Sequence, residues 1–362
     1  MTNKKNARLI LEDGTVFTGI SFGSEHSVAG EVVFTTGMVG YPESLTDPSY
    51  CGQILTLTYP LIGNYGIPDP AFDENGICIN FESSKIQVKG LVISNYSKDY
   101  SHWSGVRSLA DWLKQYNIPA IYDIDTRALT KRLREKGVMP GKIEIDKDIP
   151  FYDPNKENLV CSVSTKEVIN VGNGKYRIVV IDCGIKNSII SELLNRDFSL
   201  KIVPWDYDFF QEDFDGLFIS NGPGDPKMCT QTIDNINKCL KKGIPTFGIC
   251  LGNQLLALAA GADTFKLKFG HRSQNQPCYI CGTKQGYITS QNHGFAVDVK
   301  SLSKDWNEFF VNANDETNEG IRHNTKPFFS VQFHPEGSAG PKDTGYLFDI
   351  FYNRVKEWKN PK

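Results

Sequence analysis

At 362 residues the chain has room for about two ordinary domains with cores of their own. Hydrophobic content of 40% and charged content of 22% are those of a water-soluble globular protein, and the net charge of −3 offers no basic field for nucleic acid or anionic lipid. No apolar stretch approaches the roughly 18 residues of a membrane span, and the opening M-T-N-K-K-N-A lacks the apolar centre of a secretory leader, so a cytoplasmic location is expected.

The first elements are β-rich. Arg8 to Gly19 gives two β-branched runs about Asp13-Gly14, a hairpin signal. Further strands are predicted at Glu31 to Thr35, Gln53 to Tyr59 and Gly90 to Ser94. Helical spacing of Val106, Leu109, Ala110 and Leu113 predicts a helix within Trp103 to Tyr116. Asp125 or Thr126 would cap a second over Thr130 to Glu135, stopped by Gly137. Residues 1–150 therefore read as an α+β domain, and 151–175, with Pro154, Gly172 and Gly174 and no period, as a linker.

From 176 to 358 the rhythm changes to an alternation. Strands at Ile178 to Asp182, Lys201 to Val203, Gly216 to Ser220 and Thr246 to Ile249 interleave with helices at Ser188 to Asn195, Thr232 to Lys241 and Leu251 to Ala260. The fold class is α/β, with this second domain an open, mostly parallel sheet whose ligands would bind beyond the carboxyl ends of strands. Two such ends carry unusual loops. Ser220 to Pro226 (S-N-G-P-G-D-P) is rigid and glycine-rich, though it also suits an ordinary strand-to-helix turn. Cys250 stands at the corner of P-T-F-G-I-C-L-G-N-Q, with Gly248 and Gly252 two residues to either side, the spacing of an elbow that presents a nucleophile. A helix beginning at Leu251 would favour the thiolate. Against this stands the commoner fate of a free cysteine, packing as a small apolar residue.

The chain has nine cysteines. Only Cys278 and Cys281 form a C-x-x-C pair, and without a second pair or nearby histidines a zinc site lacks half its ligands, so no metal is expected and reduced thiols are the simpler account. A thiol nucleophile needs a base. The strand pattern Phe328 to Phe333 runs into His334-Pro335-Glu336, a histidine with a carboxylate two residues on. His293, in Ser290 to Phe295 (S-Q-N-H-G-F), is the rival base.

The segments G-I-C-L-G-N-Q, S-N-G-P-G-D-P, S-Q-N-H-G-F and F-H-P-E, in this order and spacing, resemble the triad-type (class I) glutamine amidotransferases. Gly30 to Tyr50 (G-E-V-V-F-T-T-G-M-V-G-Y-P-E-S-L-T-D-P-S-Y) and Leu57 to Gly66 (L-T-Y-P-L-I-G-N-Y-G) narrow the resemblance to the glutaminase subunit or domain of carbamoyl-phosphate synthase. It runs from about Leu9 to Phe351.

The resemblance implies Cys250 as nucleophile, His334 as acid and base, and Glu336 as the group orienting the imidazole. It implies backbone N–H groups of Leu251 and Gly222 around the oxyanion. For L-glutamine it implies Ser49, Gly222, Gly224, Leu251, Gln254, Asn292, Gly294 and Phe295. The ammonia released would pass to a carbamoyl-phosphate synthetase large subunit or fused domain, where ATP, magnesium and bicarbonate are used; no cofactor is expected in this chain. At Asn253 most members carry His. Asn there resembles the ammonia-dependent branch, as do Ser94 to Trp103, Ile118 to Arg127 and C-G-I-K-N (Cys183 to Asn187), so a glutaminase-inactive scaffold is the alternative. That branch generally loses the nucleophile or the glutamine-binding Gln, whereas Cys250 and Gln254 are both present; Asn253 is expected to modulate turnover without abolishing it. A free-standing amidohydrolase on the same elbow is disfavoured by the long N-terminal domain.

Overall fold

The computed structural model describes residues 5–360; Met1 to Lys4, on which the expectation about a leader partly rests, lie outside them. The chain divides into two compact units, one ending at Asp73 and resuming from Cys78 to Lys156, the other comprising Glu74–Ile77 and the chain from Glu157 onward.

In the first unit, strands β1 (Asn6–Leu11), β2 (Val16–Ser21), β3 (Val28–Thr35), β4 (Gln53–Ile62), β5 (Gly90–Tyr96), β6 (Ala120–Tyr122) and β7 (Met139–Glu144) close into a barrel ordered β1-β2-β6-β5-β4-β3-β7. The β1–β2 hairpin turns at Gly14, whose φ of 85° suits a residue without Cβ. Helices α1 (Tyr41–Thr46), α2 (Leu109–Gln115) and α3 (Thr126–Lys136) complete the unit. Asp125 caps α3 by accepting from the Ala128 N–H at 2.8 Å, and Gly137 ends it. The helix expected within Trp103 to Tyr116 begins only at Leu109. Val106 N–H donates to the Ile67 carbonyl and Ile67 N–H to the Arg107 carbonyl, which draws residues before Ser108 into a bridge, and Ser108 then caps α2. Trp103 and Val106 are left exposed.

The second unit opens with α4 (Val160–Val163) and β8 (Ile169–Val171), so the stretch read as an irregular linker carries an edge strand, paired with Leu200 to Ile202. There follow β9 (Tyr176–Asp182), α5 (Asn187–Leu194), β10 (Phe198–Pro204), β11 (Gly216–Ile219), α6 (Thr230–Lys242), β12 (Thr246–Ile249) and α7 (Leu251–Ala259). After them come β13 (Asp263–Ile280), β14 (Gly286–Asp298), β15 (Trp306–Asn312), β16 (Asn318–His323), β17 (Phe328–Val331) and α8 (Tyr346–Lys359). The sheet runs β14-β13-β15-β16-β17-β12-β11-β9-β10-β8. Its centre, from β10 to β17, is the parallel sheet the alternation predicts; β13 to β16 extend it with antiparallel strands that the sequence reading did not place.

The central strands are largely apolar because both faces are covered. In β9, Ile178 and Val180 join Phe218, Phe247, Phe329, Phe348 and Phe351 on one face, while Val179 and Ile181 join Leu217, Leu255 and Ile236 on the other. Parallel strands β9, β11, β12 and β17 end on one edge of the sheet, so the loops after Asp182, Ile219, Ile249 and Val331 meet there. Among the described residues no helix is long and apolar enough to cross a membrane. Phe247 is fully buried, stacked on Phe329 at 4.4 Å and edge-on to Phe218. Phe247→Ala should therefore cost about 3–5 kcal/mol, read as a lowered urea midpoint for the second unit.

Candidate active site

The corner after β12 is held by close backbone approaches. A Cβ on Gly252 would lie 2.2 Å from the Ile219 carbonyl oxygen, and one on Gly248 would lie 2.5 Å from that of Gly252. Only glycine permits this crossing, and it forces Cys250 between them to φ 56°, ψ −103°, a backbone conformation L-residues rarely adopt. The Cys250 N–H is tied to the Val331 carbonyl at 2.9 Å, and its own carbonyl accepts from Asn253 N–H at 3.0 Å as α7 begins. Strain is thus held at the one residue whose side chain the sequence singles out. Cys250 is buried, and its thiol donates to the Asn292 carbonyl at 3.6 Å.

His334 stands three residues beyond β17, its N–H bonded to the Ser290 carbonyl at 2.9 Å. Its Nδ1–H donates to Glu336 Oε1 at 2.7 Å. That bond fixes the ring and leaves Nε2 as the working nitrogen, which makes no conventional hydrogen bond although Cys250 lies near enough to act on the ring. Burial works against a charged imidazole, but Glu336 and Cys250 outweigh it and push His334 up to about 10. Burial likewise works against a charged Glu336, and Lys186 and His334 overcome it, holding the carboxyl at about 2.

Lys186 is the functional residue that sequence reasoning missed. It is almost wholly buried, and its Nζ donates to Glu336 Oε1 at 2.7 Å and to the Ser338 carbonyl at 2.9 Å. A signal was present: Lys186 occupies the N-cap of α5, the positive end of a helix, where it caps nothing and a cation is disfavoured. Its backbone is set by Asp182, which accepts from Gly184 and Ile185 N–H at 2.8 Å each, and by Asn221, which accepts from the Lys186 N–H.

The loop after β11 approaches the elbow as closely. A Cβ on Gly222 would lie 2.1 Å from the Cys183 carbonyl oxygen and 2.8 Å from a Leu251 methyl, and Gly224 has φ 85°. Gln254, on the first turn of α7, donates through Nε2 to the Phe295 carbonyl at 3.0 Å and to Gln332 Oε1 at 3.1 Å. The second unit thus brings Gly222, Leu251, Gln254, Asn292 and Phe295 to the elbow, with Gly224 in the loop of Gly222 and Gly294 in the strand of Phe295. Ser49 lies in the first unit, buried in a 3-10 turn (Pro48–Tyr50) where its N–H donates to Asp47.

His293, the rival base, is placed differently. Both ring nitrogens face oxygens other than a substrate's: Nδ1–H donates to the Phe295 carbonyl at 2.8 Å, and Nε2 is 3.1 Å from the Gln291 amide. Burial, first, and then the neighbouring His271 hold it neutral. With His271 and Glu319 it forms a buried group whose donor atoms lie within 4.8 Å of one another. His271 is there engaged at both nitrogens, by Asp315 at 2.8 Å and Glu319 at 3.3 Å, the pattern of a proton clamped between two carboxylates.

Residues 9–143 match the carbamoyl-phosphate synthase small chain, CPSase domain, and residues 179–354 match glutamine amidotransferase class-I. Over 98% of its length the chain is 55% identical to multifunctional protein CAD of Squalus acanthias and 51% identical to carbamoyl-phosphate synthase (ammonia), mitochondrial, of Mus musculus. It spans 16% and 24% of those two relatives. A glutamine amidotransferase from Thermotoga maritima superimposes with a TM-score of 0.38 at 18% identity, over 52% of this chain and 87% of that one.

The shifted pair gives stability a pH window. Glu336 at about 2, below its ordinary 4.5, contributes above about pH 4.5 and loses that contribution as pH falls toward 2. His334 at about 10, above its ordinary 6.5, contributes below about pH 6.5 and loses it as pH rises toward 10. The Tm difference between wild type and Glu336→Gln should be largest between those two ordinary values and shrink on both sides; a difference that does not change with pH would contradict the assignment.

Proposed function

The chain belongs to the family that joins a carbamoyl-phosphate synthase small-chain domain to a class-I glutamine amidotransferase domain, and from that premise we propose that it hydrolyses L-glutamine to glutamate and ammonia through a thioester on Cys250. The observation that carries this reading is the strained Cys250 corner beside an imidazole whose other nitrogen is fixed by a buried carboxylate.

The chemistry follows from the protons. The thiol proton resides on His334 Nε2, giving a thiolate beside the imidazolium that Glu336 favours, and the Sγ thiolate attacks the carboxamide carbon of glutamine. The oxyanion that forms is met by the N–H groups of Leu251, at the positive end of α7, and of Gly222, whose lack of Cβ lets its backbone come close. The amide nitrogen is a poor leaving group until protonated, so the imidazolium returns its proton there and ammonia departs. Water then attacks the thioester, giving up a proton to Nε2, which restores the thiolate and imidazolium as glutamate leaves. Glu336 keeps the ring turned throughout and offsets its charge. Lys186 keeps Glu336 ionised. Gln254, with both amide hydrogens committed to Phe295 and Gln332, presents only its oxygen to substrate. Asn292, Gly294 and Phe295 line up the rest of the glutamine. Ser49, from the first unit, is included on the family resemblance.

The ammonia is proposed to go to a carbamoyl-phosphate synthetase large subunit or fused domain, which would use ATP, magnesium and bicarbonate. No residue of this chain is assigned to those groups.

Incubation with glutamine, with and without a synthetase partner, tests the reading. An acid-stable γ-glutamyl adduct on Cys250 and ammonia release are expected, and Cys250→Ser should lower turnover by at least about a thousandfold with the fold intact. No adduct and no ammonia in either condition would leave a scaffold; full activity in isolation would favour a free-standing hydrolase.

A further inference from the structure

The buried group behind the glutamine-reading strand has no part in the proton transfers above, yet it is built as carefully as the triad. Glu319 on β16 is fully buried. Asn312 Nδ2 donates to its Oε1 at 3.0 Å, and His271 Nδ1 stands 3.3 Å from the same oxygen. His271 on β13 is held at its far nitrogen by Asp315, in the β15–β16 turn. Three separate strands and a turn therefore converge on one imidazole.

That imidazole bears directly on His293. The two residues are Cα partners across the β13–β14 ladder, and their rings meet at 4.9 Å at right angles. The ladder slips register on both sides of this pairing, between Lys266 and His271 and again between Ser273 and Gln276. Bulges of this kind re-aim side chains, here on either side of the one short paired segment. Gly270 adds a further constraint: its φ is 70°, and a Cβ there would lie 2.4 Å from the His293 carbonyl oxygen. Beyond His293 the chain of contacts continues to substrate. Its Nδ1–H donates to the Phe295 carbonyl, which is also the acceptor for Gln254 Nε2. The Phe295 carbonyl is thus where the elbow helix and the reading strand are joined.

We propose that His271 and Glu319 are positioning residues for glutamine: by fixing the ring of His293 they hold the Phe295 carbonyl, and through it Gln254 and the Asn292 to Phe295 segment, in the geometry that reads the substrate. The inference rests on the glutaminase reading and assigns these two residues to recognition, not to bond-breaking. His271 touches neither Cys250 nor His334 in any contact described, so the nucleophile should be indifferent to it.

His271→Ala and Glu319→Ala should each raise KM for glutamine at least tenfold, with kcat within about threefold of wild type. Alkylation of Cys250 by iodoacetamide, a reagent too small to need the reading strand, should proceed within about twofold of the wild-type rate. Glu319→Gln should return KM to within about threefold, since an amide oxygen in the place of Oε1 can still accept from both Asn312 Nδ2 and His271 Nδ1–H. Should the alanine variants not fold, His271→Gln, which keeps a donor for Asp315 and loses the Glu319 contact, carries the same expected rise. Wild-type turnover with unshifted KM in folded variants would overturn this proposal alone, as would KM and alkylation worsening in step. Neither turnover nor protection of Cys250 by glutamine in the wild type would overturn the glutaminase reading and this proposal with it.

Discussion

Three ionisable side chains in a row, Lys186, Glu336 and His334, are removed from water at the carboxyl edge of the parallel sheet. A lone carboxylate at the position of Glu336 would be costly, and burial alone would protonate it. Two cations sharing one of its oxygens reverse that outcome. A buried pair of this sort adds little net stability compared with apolar residues, because desolvation offsets most of the attraction. Its value is directional: with Nδ1–H committed to Glu336, the imidazole can meet the thiol only through Nε2. Elements far apart in sequence must be in place for this, since Lys186 comes from the end of β9 and His334 and Glu336 from beyond β17, while Cys250 follows β12. The parallel arrangement of those strands makes the meeting possible.

Much of this was legible in the residues because it depends on local chemistry. Asp13-Gly14 favoured a turn, Asp125 capped a helix as its side chain favours, and the two-face burial of β9, β11 and β12 showed as short apolar runs at Ile178 to Ile181, Leu217 to Ile219 and Phe247 to Ile249. Gly248 and Gly252 announced a corner because nothing larger survives a backbone crossing of that closeness. What could not be read is what distance in the chain creates. Strands β13 and β14 are long and slip register, and His, Ser, Gln and Asn interrupt their middles, so no clean alternation marks them. The start of α2 is set by a bridge to Ile67, some forty residues away, which periodicity cannot sense. Closure of the first unit into a barrel depends on β1 finding β7. Lys186 was visible only as an oddity, a cation at a helix N-cap, because its reason for being there lies 150 residues on.

The site is accordingly two networks that share a wall. On the nucleophile side, charges fix an imidazole. On the side proposed for recognition, neutral amides and a backbone carbonyl hold Gln254, whose two amide hydrogens are committed to Phe295 and Gln332 and whose oxygen is left over. A substrate carrying both donors and acceptors is best read by amides held in this manner, because a misplaced partner would leave a buried polar group unpaired. His271, held by Asp315 and Glu319, packs against His293 on this second side.

Asn253 is fully buried one residue before Gln254, and both ends of its amide are used: Ser330 Oγ donates to Oδ1 at 2.8 Å, and Nδ2 donates to Gln332 Oε1 at 3.1 Å. That same Gln332 oxygen takes the second hydrogen of Gln254. An imidazole in this place would also have one donor and one acceptor to offer, so exchanging His for Asn alters the length and angle of the link to Gln332 and not the kind of link. The Asn253 side chain thus joins Ser330 and Gln332 to the bond that holds Gln254, while its backbone N–H donates to the Cys250 carbonyl at 3.0 Å.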